Sequence, residues 1–228
     1  MLNIYLTIVL APLFGSIIVG LAGNRLGRKA SHSITILGVA VSTALSLYVF
    51  NHHVLNDGDI FNQNLYTWMQ IGGLNISVGF LVDNLTALML VVVSFVSLMV
   101  HIYTIGYMHE DKGYTKFFSY IYLFTFAMFT LVISNNFMQL FFGWEAVGLV
   151  SYLLIGFWHH KESAVQANLK AFLVNRVGDF GFLLGIAMVL MFFNTLDYAE
   201  TFSQKDQIIG QTLFGGVSAI TVVCLLLF

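Results

Sequence analysis

The feature that most constrains the fold is a series of apolar runs, each long enough to cross a lipid bilayer. A membrane-spanning helix needs about 20 mostly apolar residues. Six complete runs meet that requirement, over residues 4–22, 33–50, 84–107, 117–134, 137–158 and 171–193. Only 9% of the side chains are charged, whereas a soluble domain carries about 25%. The sequence therefore predicts an all-α polytopic membrane protein with six complete transmembrane helices.

Both ends of the chain carry apolar segments that need an interpretation. A seventh apolar run begins near residue 213 and stops at Phe228 without a polar flank. We interpret it as a truncated seventh helix, so we expect the chain to be the front part of a longer protein. At the other end, Arg25, Arg28 and Lys29 follow the first run and do not precede it. That order favours an uncleaved first span over a signal peptide.

The basic residues are distributed unevenly between the two sides of the predicted bundle. Seven of the nine lie in loops one, three and five or at their ends, and loop six has only Lys205. Because Lys and Arg are enriched in cytoplasmic loops, we expect loops one, three and five in the cytoplasm and the N-terminus outside. The seven are Arg25, Arg28, Lys29, Lys112, Lys116, Lys161 and Lys170.

The long second loop contains a predicted β-hairpin. Residues 65–71 and 74–81 are two short runs on either side of Gly72–Gly73, and the second alternates apolar with small or polar side chains. Two such runs around a Gly-Gly pair are typical of a hairpin. We expect a small hairpin on the outer face between helices 2 and 3, followed by Asp83 as the N-cap of the third span.

Three ionisable side chains fall inside two adjacent runs. Glu145 lies near the middle of the fifth run, and Arg176 and Asp179 lie about two turns into the sixth, with Lys170 at its mouth. An ionised side chain at the bilayer centre costs at least about 2.5–3.5 kcal/mol, so these groups must face protein or water. Arg176 and Asp179 are three residues apart and can pair on one helix face.

Two interpretations of these charges stay open on the residues alone. In one, Arg176 and Asp179 form a buried ion pair that fixes packing, and Glu145 is hydrogen-bonded or protonated. In the other, Glu145 is a titratable proton site whose proton affinity depends on a movable cation. Glu145 has no opposite charge three or four residues away, so its partner must come from another helix. His101, in the third run, and Lys170 are secondary candidates for the proton pathway, and His101 fits a helix–helix contact equally well.

The composition argues against several other classes of function. The net charge of −2 gives no basic footprint for nucleic acid. A single cysteine, Cys224, excludes an internal disulfide and a cysteine cluster for zinc or iron–sulfur. We find no glycine-rich phosphate loop and no dinucleotide fingerprint. We therefore expect no nucleotide, metal or redox centre on this chain.

Two stretches carry a resemblance to a known family. The run GWEAVGLVSYLLIGFW (143–158), followed by KAFLVNRVGD (170–179), resembles the antiporter-like subunit L, or chain 5, of respiratory complex I. That complex is the proton-pumping NADH:quinone oxidoreductase. The runs FLVDNLTALMLVVVSFVSLMVHIYTIGYM (80–108) and GYTKFFSY (113–120) fit the same subunit. The likeness covers most of the chain from about residue 60 onward.

The resemblance implies a fold and a function. It implies a bundle with two inverted five-helix repeats that form a proton path, with Glu145 as the essential glutamate and Arg176 and Asp179 as the charged pair. The family's glutamate is modulated by a lysine on the seventh helix, which this chain lacks, so we expect the fragment alone to be inactive. We expect an N-terminal two-helix segment (1–60), a hairpin and third span (61–116), and the first part of the proton-translocating repeat (117–228).

The resemblance also implies partners and a location. NADH, FMN, iron–sulfur clusters and quinone are expected on other subunits, so this chain would be a subunit of the enzyme without a cofactor of its own. The partners would be other membrane-arm subunits, the lipid bilayer and protons, with no nucleic acid. A bacterial inner (plasma) membrane is favoured over the mitochondrial inner membrane.

Two alternatives remain. One is the large subunit of a multi-subunit cation/proton antiporter, or a membrane subunit of a related hydrogenase, which share the fold and the glutamate. The other is an inactive structural membrane protein in which the charges only hold helices together. A ligand-binding receptor has little support, because the only sizeable outside segment is the hairpin loop.

Overall fold

The computed structural model of the chain describes residues 1–213 and 215–228, apart from the side chain of Asn24. In this part of the chain, six helices are long and apolar enough to cross a membrane, as predicted. They are the spans numbered one to six below: Leu2–Gly23, Arg25–Leu55, Asn84–Tyr107, Tyr114–Val132, Phe137–Ile155 and Glu162–Phe193. The predicted fold class, an all-α polytopic membrane protein, is confirmed.

The first two spans form one long helical stretch that is interrupted at a glycine. Gly27 has φ 80° and ψ 170°, a conformation outside the helical region that glycine adopts without steric cost. The fourth span packs against both the first and the second span through Tyr122. This side chain touches Gly15 and Gly38 so closely that a Cβ at either position would overlap the tyrosine ring or hydroxyl. These contacts place the fourth span at the centre of the N-terminal half.

The hairpin forms where the sequence predicts it. Strands β1 (Phe61–Ile71) and β2 (Leu74–Val82) pair in antiparallel fashion. Gly72 and Gly73 both have positive φ, which a tight hairpin turn of this length requires. Asp83 then caps the third span, because its Oδ1 accepts a hydrogen bond from the backbone N–H of Thr86 at 2.7 Å.

At one end of the bundle, loops one, three and five contact one another. Arg28 in loop one donates hydrogen bonds to the backbone carbonyls of His109 and Asp111 in loop three. Trp158 in loop five donates its Nε1–H to Asp111 Oδ2 at 2.8 Å, and Lys161 lies over the Trp158 ring. The loops that hold most of the basic residues therefore meet on a single face.

The other end joins the hairpin to loops four and six. Asn135 in loop four donates from Nδ2 to the Oδ1 atoms of Asn62 and Asn64 in β1, at 3.1 Å and 2.7 Å. The carbonyl of Asn135 accepts from the backbone N–H of Tyr198 in loop six at 3.1 Å. Amide groups therefore connect the hairpin to the turns beside the fifth and sixth spans.

Several predicted boundaries are wrong. The sixth helix begins at Glu162 and not at 171, so Lys170 lies within the helix and not at its mouth. The fifth helix ends at Ile155 and not at 158. The last helix begins at Ala219 and not near 213, because Thr212–Leu213 and Val217–Ser218 pair as strands β3 and β4. The cause is that hydropathy detects apolar residues and not the helical backbone: it omits the more polar first turns of the sixth helix and includes apolar residues that lie outside the fifth and the last helix.

Candidate functional site

The fifth span is fixed in position by its first turns. Asn136 caps it, accepting the backbone N–H of Gln139 at 2.8 Å, and the Gln139 Oε1 accepts the backbone N–H of Gly79 in β2 at 2.9 Å. One turn further on, the buried Gly143 lies against the backbone of Leu131 in the fourth span. Glu145 follows two residues after this contact, so tight packing on one side determines its place.

The sixth span carries Arg176 and Asp179 on one face, as the three-residue spacing predicts. Arg176 Nη1 lies 3.1 Å from Asp179 Oδ2. Because the helix begins at Glu162, Arg176 is about four turns from its start and not the two that the sequence suggested. The pair therefore lies near the middle of the 32-residue helix.

Arg176 also pairs with Glu145 across the two spans. The same Nη1 atom that contacts Asp179 donates to Glu145 Oε2 and forms an ion pair with it. The guanidinium carbon lies 4.9 Å from the centre of the Phe172 ring, a cation–π contact on the same helix. The structure thus supplies the partner on another helix that Glu145 was expected to need, and that partner is one member of the predicted pair.

The two carboxylates differ in exposure. The side chain of Asp179 is only 9% exposed, against 24% for Glu145 and 35% for Arg176. Asp179 has a second donor that the sequence did not indicate, because Trp144 Nε1–H donates to its Oδ1 at 3.0 Å. Both oxygens of Asp179 are therefore occupied. The sequence signal that could have indicated Trp144 is its position next to Glu145.

The charge of this group of side chains decides what it can do. With both carboxylates ionised, one guanidinium faces two negative groups, and the three side chains carry an excess negative charge. Such an excess is costly in a low-dielectric region. Binding of one proton to a carboxylate removes it. The arrangement is therefore chemically suited to take up and release a single proton as the guanidinium shifts between its two partners.

A cavity adjoins the more enclosed carboxylate. It has a volume of about 470 Å³ and is lined by Asp179, Trp144, Asn175, Gly178 and neighbouring apolar side chains. Gly178 faces open space, since a Cβ there would meet nothing within 4 Å. A space of this size next to a carboxyl and an amide can hold water, which is the medium through which protons reach buried groups.

The two secondary candidates lie apart from this group. Lys170 is exposed and forms no ion pair with any residue that the structure describes. His101 is fully buried in the third span, where its Nδ1 lies 2.8 Å from the Ser97 carbonyl and its ring packs against Phe118 and Tyr122. None of these His101 contacts involves the fifth or sixth span, and Lys170 lies on the sixth span without an ion pair to Glu145 or Asp179.

Comparisons with known families place both halves of the chain. A family model described as NADH-ubiquinone oxidoreductase (complex I), chain 5 N-terminus, matches residues 68–118. A second, described as NADH:quinone oxidoreductase/Mrp antiporter, TM, matches residues 134–228. The second match contains Glu145, Arg176 and Asp179. Its description covers both complex I and the antiporter, so it does not separate those two alternatives.

Individual relatives are similar over nearly the whole chain. NADH-quinone oxidoreductase subunit L of Neisseria meningitidis serogroup B is 60% identical over all of this chain. Subunit L of Rickettsia felis is 42% identical over 99%, and NADH-ubiquinone oxidoreductase chain 5 of Dictyostelium citrinum is 44% identical over 96%. The chain spans 33–35% of the length of these relatives.

A solved structure supports the fold. A chain of the membrane-bound sulfane sulfur reductase, an archaeal respiratory membrane complex, superposes with a TM-score of 0.80 at 16% identity. The match covers 98% of this chain and 43% of that one. At this identity the likeness concerns the fold alone. The two family matches and the relatives show that the chain belongs to the family of subunit L, or chain 5, of the NADH–quinone oxidoreductases.

Proposed function

We propose that this chain contributes part of a proton-translocation half-channel to the membrane arm of a proton-pumping NADH:quinone oxidoreductase. Glu145 is the carboxylate that binds and releases the proton. The observation that carries this proposal is the single guanidinium of Arg176 shared by Glu145 and Asp179 on two different spans. Two carboxylates and one cation within apolar helices carry one excess negative charge, which a bound proton neutralises. A simple ion pair is already neutral and has no such reason to bind a proton.

Proton exchange at Glu145 follows from the position of the cation. When Arg176 is close to Glu145, the ionised carboxylate is stabilised and the proton leaves. When Arg176 turns toward Asp179, the ionised form of Glu145 loses this stabilisation and the carboxylate binds a proton. A second cation that approaches from elsewhere in the assembly would again favour the ionised form. A hundredfold change in the proton affinity of Glu145 corresponds to about 2.7 kcal/mol, which lies within the usual range of coupling energies between sites.

The driving reaction takes place on other subunits. The proposal places NADH, FMN, iron–sulfur clusters and quinone there and assigns no redox centre to this chain. Its partners are the neighbouring membrane-arm subunits, through which a conformational or electrostatic signal reaches Arg176. We expect pumping from the assembled complex and not from these 228 residues by themselves, because the redox energy is released elsewhere.

The same proposal assigns an orientation in a bacterial inner membrane. Loops one, three and five, which Arg28, Asp111 and Trp158 join, face the cytoplasm, and the hairpin and the N-terminus face outward. The support is the excess of Lys and Arg in the odd-numbered loops. A cysteine placed at Asn75, in β2, would then react with a membrane-impermeant reagent from the outer side only; reaction from the cytoplasmic side would reverse the assignment.

The test of function replaces the carboxylate of Glu145 by an amide. In inverted membrane vesicles containing the assembled complex, the number of protons pumped for each NADH oxidised is measured for Glu145→Gln. Gln keeps the size and the hydrogen-bonding oxygen but cannot ionise, so we expect the pumping ratio to fall. The matched control is Glu110→Gln in the exposed third loop, which should pump as the wild type does. Unchanged pumping by assembled Glu145→Gln complex would refute the proposal.

A further inference from the structure

Trp144 is oriented in an unusual way for a half-exposed membrane tryptophan. The residue is 48% exposed, and tryptophans at the membrane interface typically sit at headgroup level, where the indole N–H meets polar surroundings. Here the N–H instead points across to the sixth span and donates to Asp179 Oδ1 at 3.0 Å. The polar atom of the side chain is thus used inside the protein, at the depth of the charged group.

The hydrogen bond complements the ion pair on the same carboxylate. Arg176 Nη1 lies 3.1 Å from Oδ2, and Trp144 occupies Oδ1, so each oxygen of Asp179 has one donor. Two different anchors on two oxygens fix the plane of the carboxylate. The direction of Oδ2 decides how far Arg176 is drawn away from Glu145, because both carboxylates use the same guanidinium nitrogen.

The adjacent positions of Trp144 and Glu145 make this coupling possible. Consecutive residues of a helix point in directions about 100° apart, so one side chain reaches Arg176 while its neighbour reaches Asp179. Trp144 and Asp179 also line the same cavity of about 470 Å³. The indole therefore lies beside Asp179 at the edge of the space through which water would reach that carboxylate.

We propose that Trp144 is a positioning residue for proton transfer: its indole N–H fixes Asp179 and thereby sets how Arg176 is shared between Asp179 and Glu145. This inference rests on the proposed function and adds a residue to it. Trp144 exchanges no proton itself. Its contribution is the hydrogen bond, and the bulk of the ring is secondary because half of its surface remains exposed.

The experiment removes the N–H donor and keeps an aromatic side chain. Trp144→Phe is compared with Trp68→Phe, which removes an indole from the hairpin. There the ring of Trp68 packs edge-on against Phe142, with the two ring centres 5.3 Å apart. The pumping ratio is measured in vesicles with the assembled complex over a series of pH values. We expect the midpoint of the pH profile to shift by about one pH unit, a tenfold change in proton affinity, in Trp144→Phe and not in Trp68→Phe.

Two further variants make the result decisive. Replacement of Trp144 by benzothienylalanine keeps the shape of the indole and removes only the N–H, so it serves if Trp144→Phe fails to assemble. Combination of Trp144→Phe with Asp179→Asn tests the route of the effect. If Trp144 acts through Asp179, the double variant has the same profile as Asp179→Asn alone.

The outcomes separate this inference from the function on which it rests. A normal profile in Trp144→Phe or in the benzothienylalanine variant, or an effect that simply adds to that of Asp179→Asn, overturns the positioning role. If the positioning role is overturned but Glu145→Gln in the same vesicles abolishes pumping, the proposed function still stands. If Glu145→Gln pumps normally, the proposed function itself fails.

Discussion

Gly143 provides a direct test of how the fifth span is positioned. A Cβ added at this residue would lie 2.7 Å from the Leu131 Cα, 2.9 Å from its backbone nitrogen and 3.1 Å from its Cβ. Optimal contact between carbon atoms is about 3.5–4.0 Å, so the fourth and fifth spans must move apart by about 1 Å. The neighbouring atoms belong to helix backbone and cannot rotate away. We therefore expect Gly143→Ala to destabilise the crossing of the two helices.

The magnitude follows from two opposing effects. Overpacking of this kind costs about 1–3 kcal/mol, and the better helix propensity of Ala over Gly returns about 1 kcal/mol. Gly148→Ala, in the same helix, is the matched control because its added Cβ would meet nothing within 4 Å. It keeps the gain without the clash. The free energy of unfolding of the two variants should thus differ by about 1–3 kcal/mol.

The assay is denaturant-induced unfolding of the detergent-solubilised protein, followed by tryptophan fluorescence and circular dichroism. Gly143→Ala should unfold at lower denaturant than Gly148→Ala. Because Glu145 is two residues away, the same displacement should also lower proton pumping by the assembled complex. Equal stability of the two alanine variants would refute the close approach of the fourth and fifth spans, and with it the reason given for the place of Glu145.

Two other predictions concern ion pairs and loop contacts. The exchange Arg176→Asp with Asp179→Arg should abolish pumping, because it sets a second carboxylate beside Glu145; a scaffold in which the pair only holds packing would tolerate the exchange, so retained pumping would contradict the account. Trp158→Phe should lower the thermal midpoint at neutral pH, since the indole N–H, with the Gly113 amide, holds the pKa of Asp111 below its usual range. A lowered pKa stabilises the folded state above the ordinary value of about 4 and loses that effect as the pH falls through the lowered value. The difference between Trp158→Phe and the wild type should therefore be present at neutral pH and shrink in acid; a difference that does not change with pH would exclude Asp111 as the cause.

The sequence predicted those features that depend on local patterns. The six spans followed from run length, the hairpin from Gly72–Gly73, and the cap of the third span from Asp83, because each is set by neighbouring residues. The start of the sixth helix was missed, since the segment between Glu162 and Lys170 is polar and hydropathy registers contact with lipid and not the helical backbone.

The site was predicted in part. The spacing of Arg176 and Asp179 indicated their pairing, and the absence of a nearby cation indicated that Glu145 has a partner on another helix. The identity of that partner depends on how the fifth and sixth spans cross, which one sequence does not reveal. The role of Trp144 was hidden for the same reason: an indole N–H finds Asp179 only once the packing of the two helices is known.

The measurement that tests the central claim most directly is the protonation of Glu145 during turnover. Infrared difference spectra of the assembled complex, recorded upon addition of NADH, report the carboxyl stretching bands of groups that gain or lose a proton. The account predicts a band that disappears in Glu145→Gln and persists in Glu110→Gln. Identical spectra for the wild type and Glu145→Gln would show that Glu145 keeps one protonation state throughout, and would contradict its role as the proton-binding carboxylate.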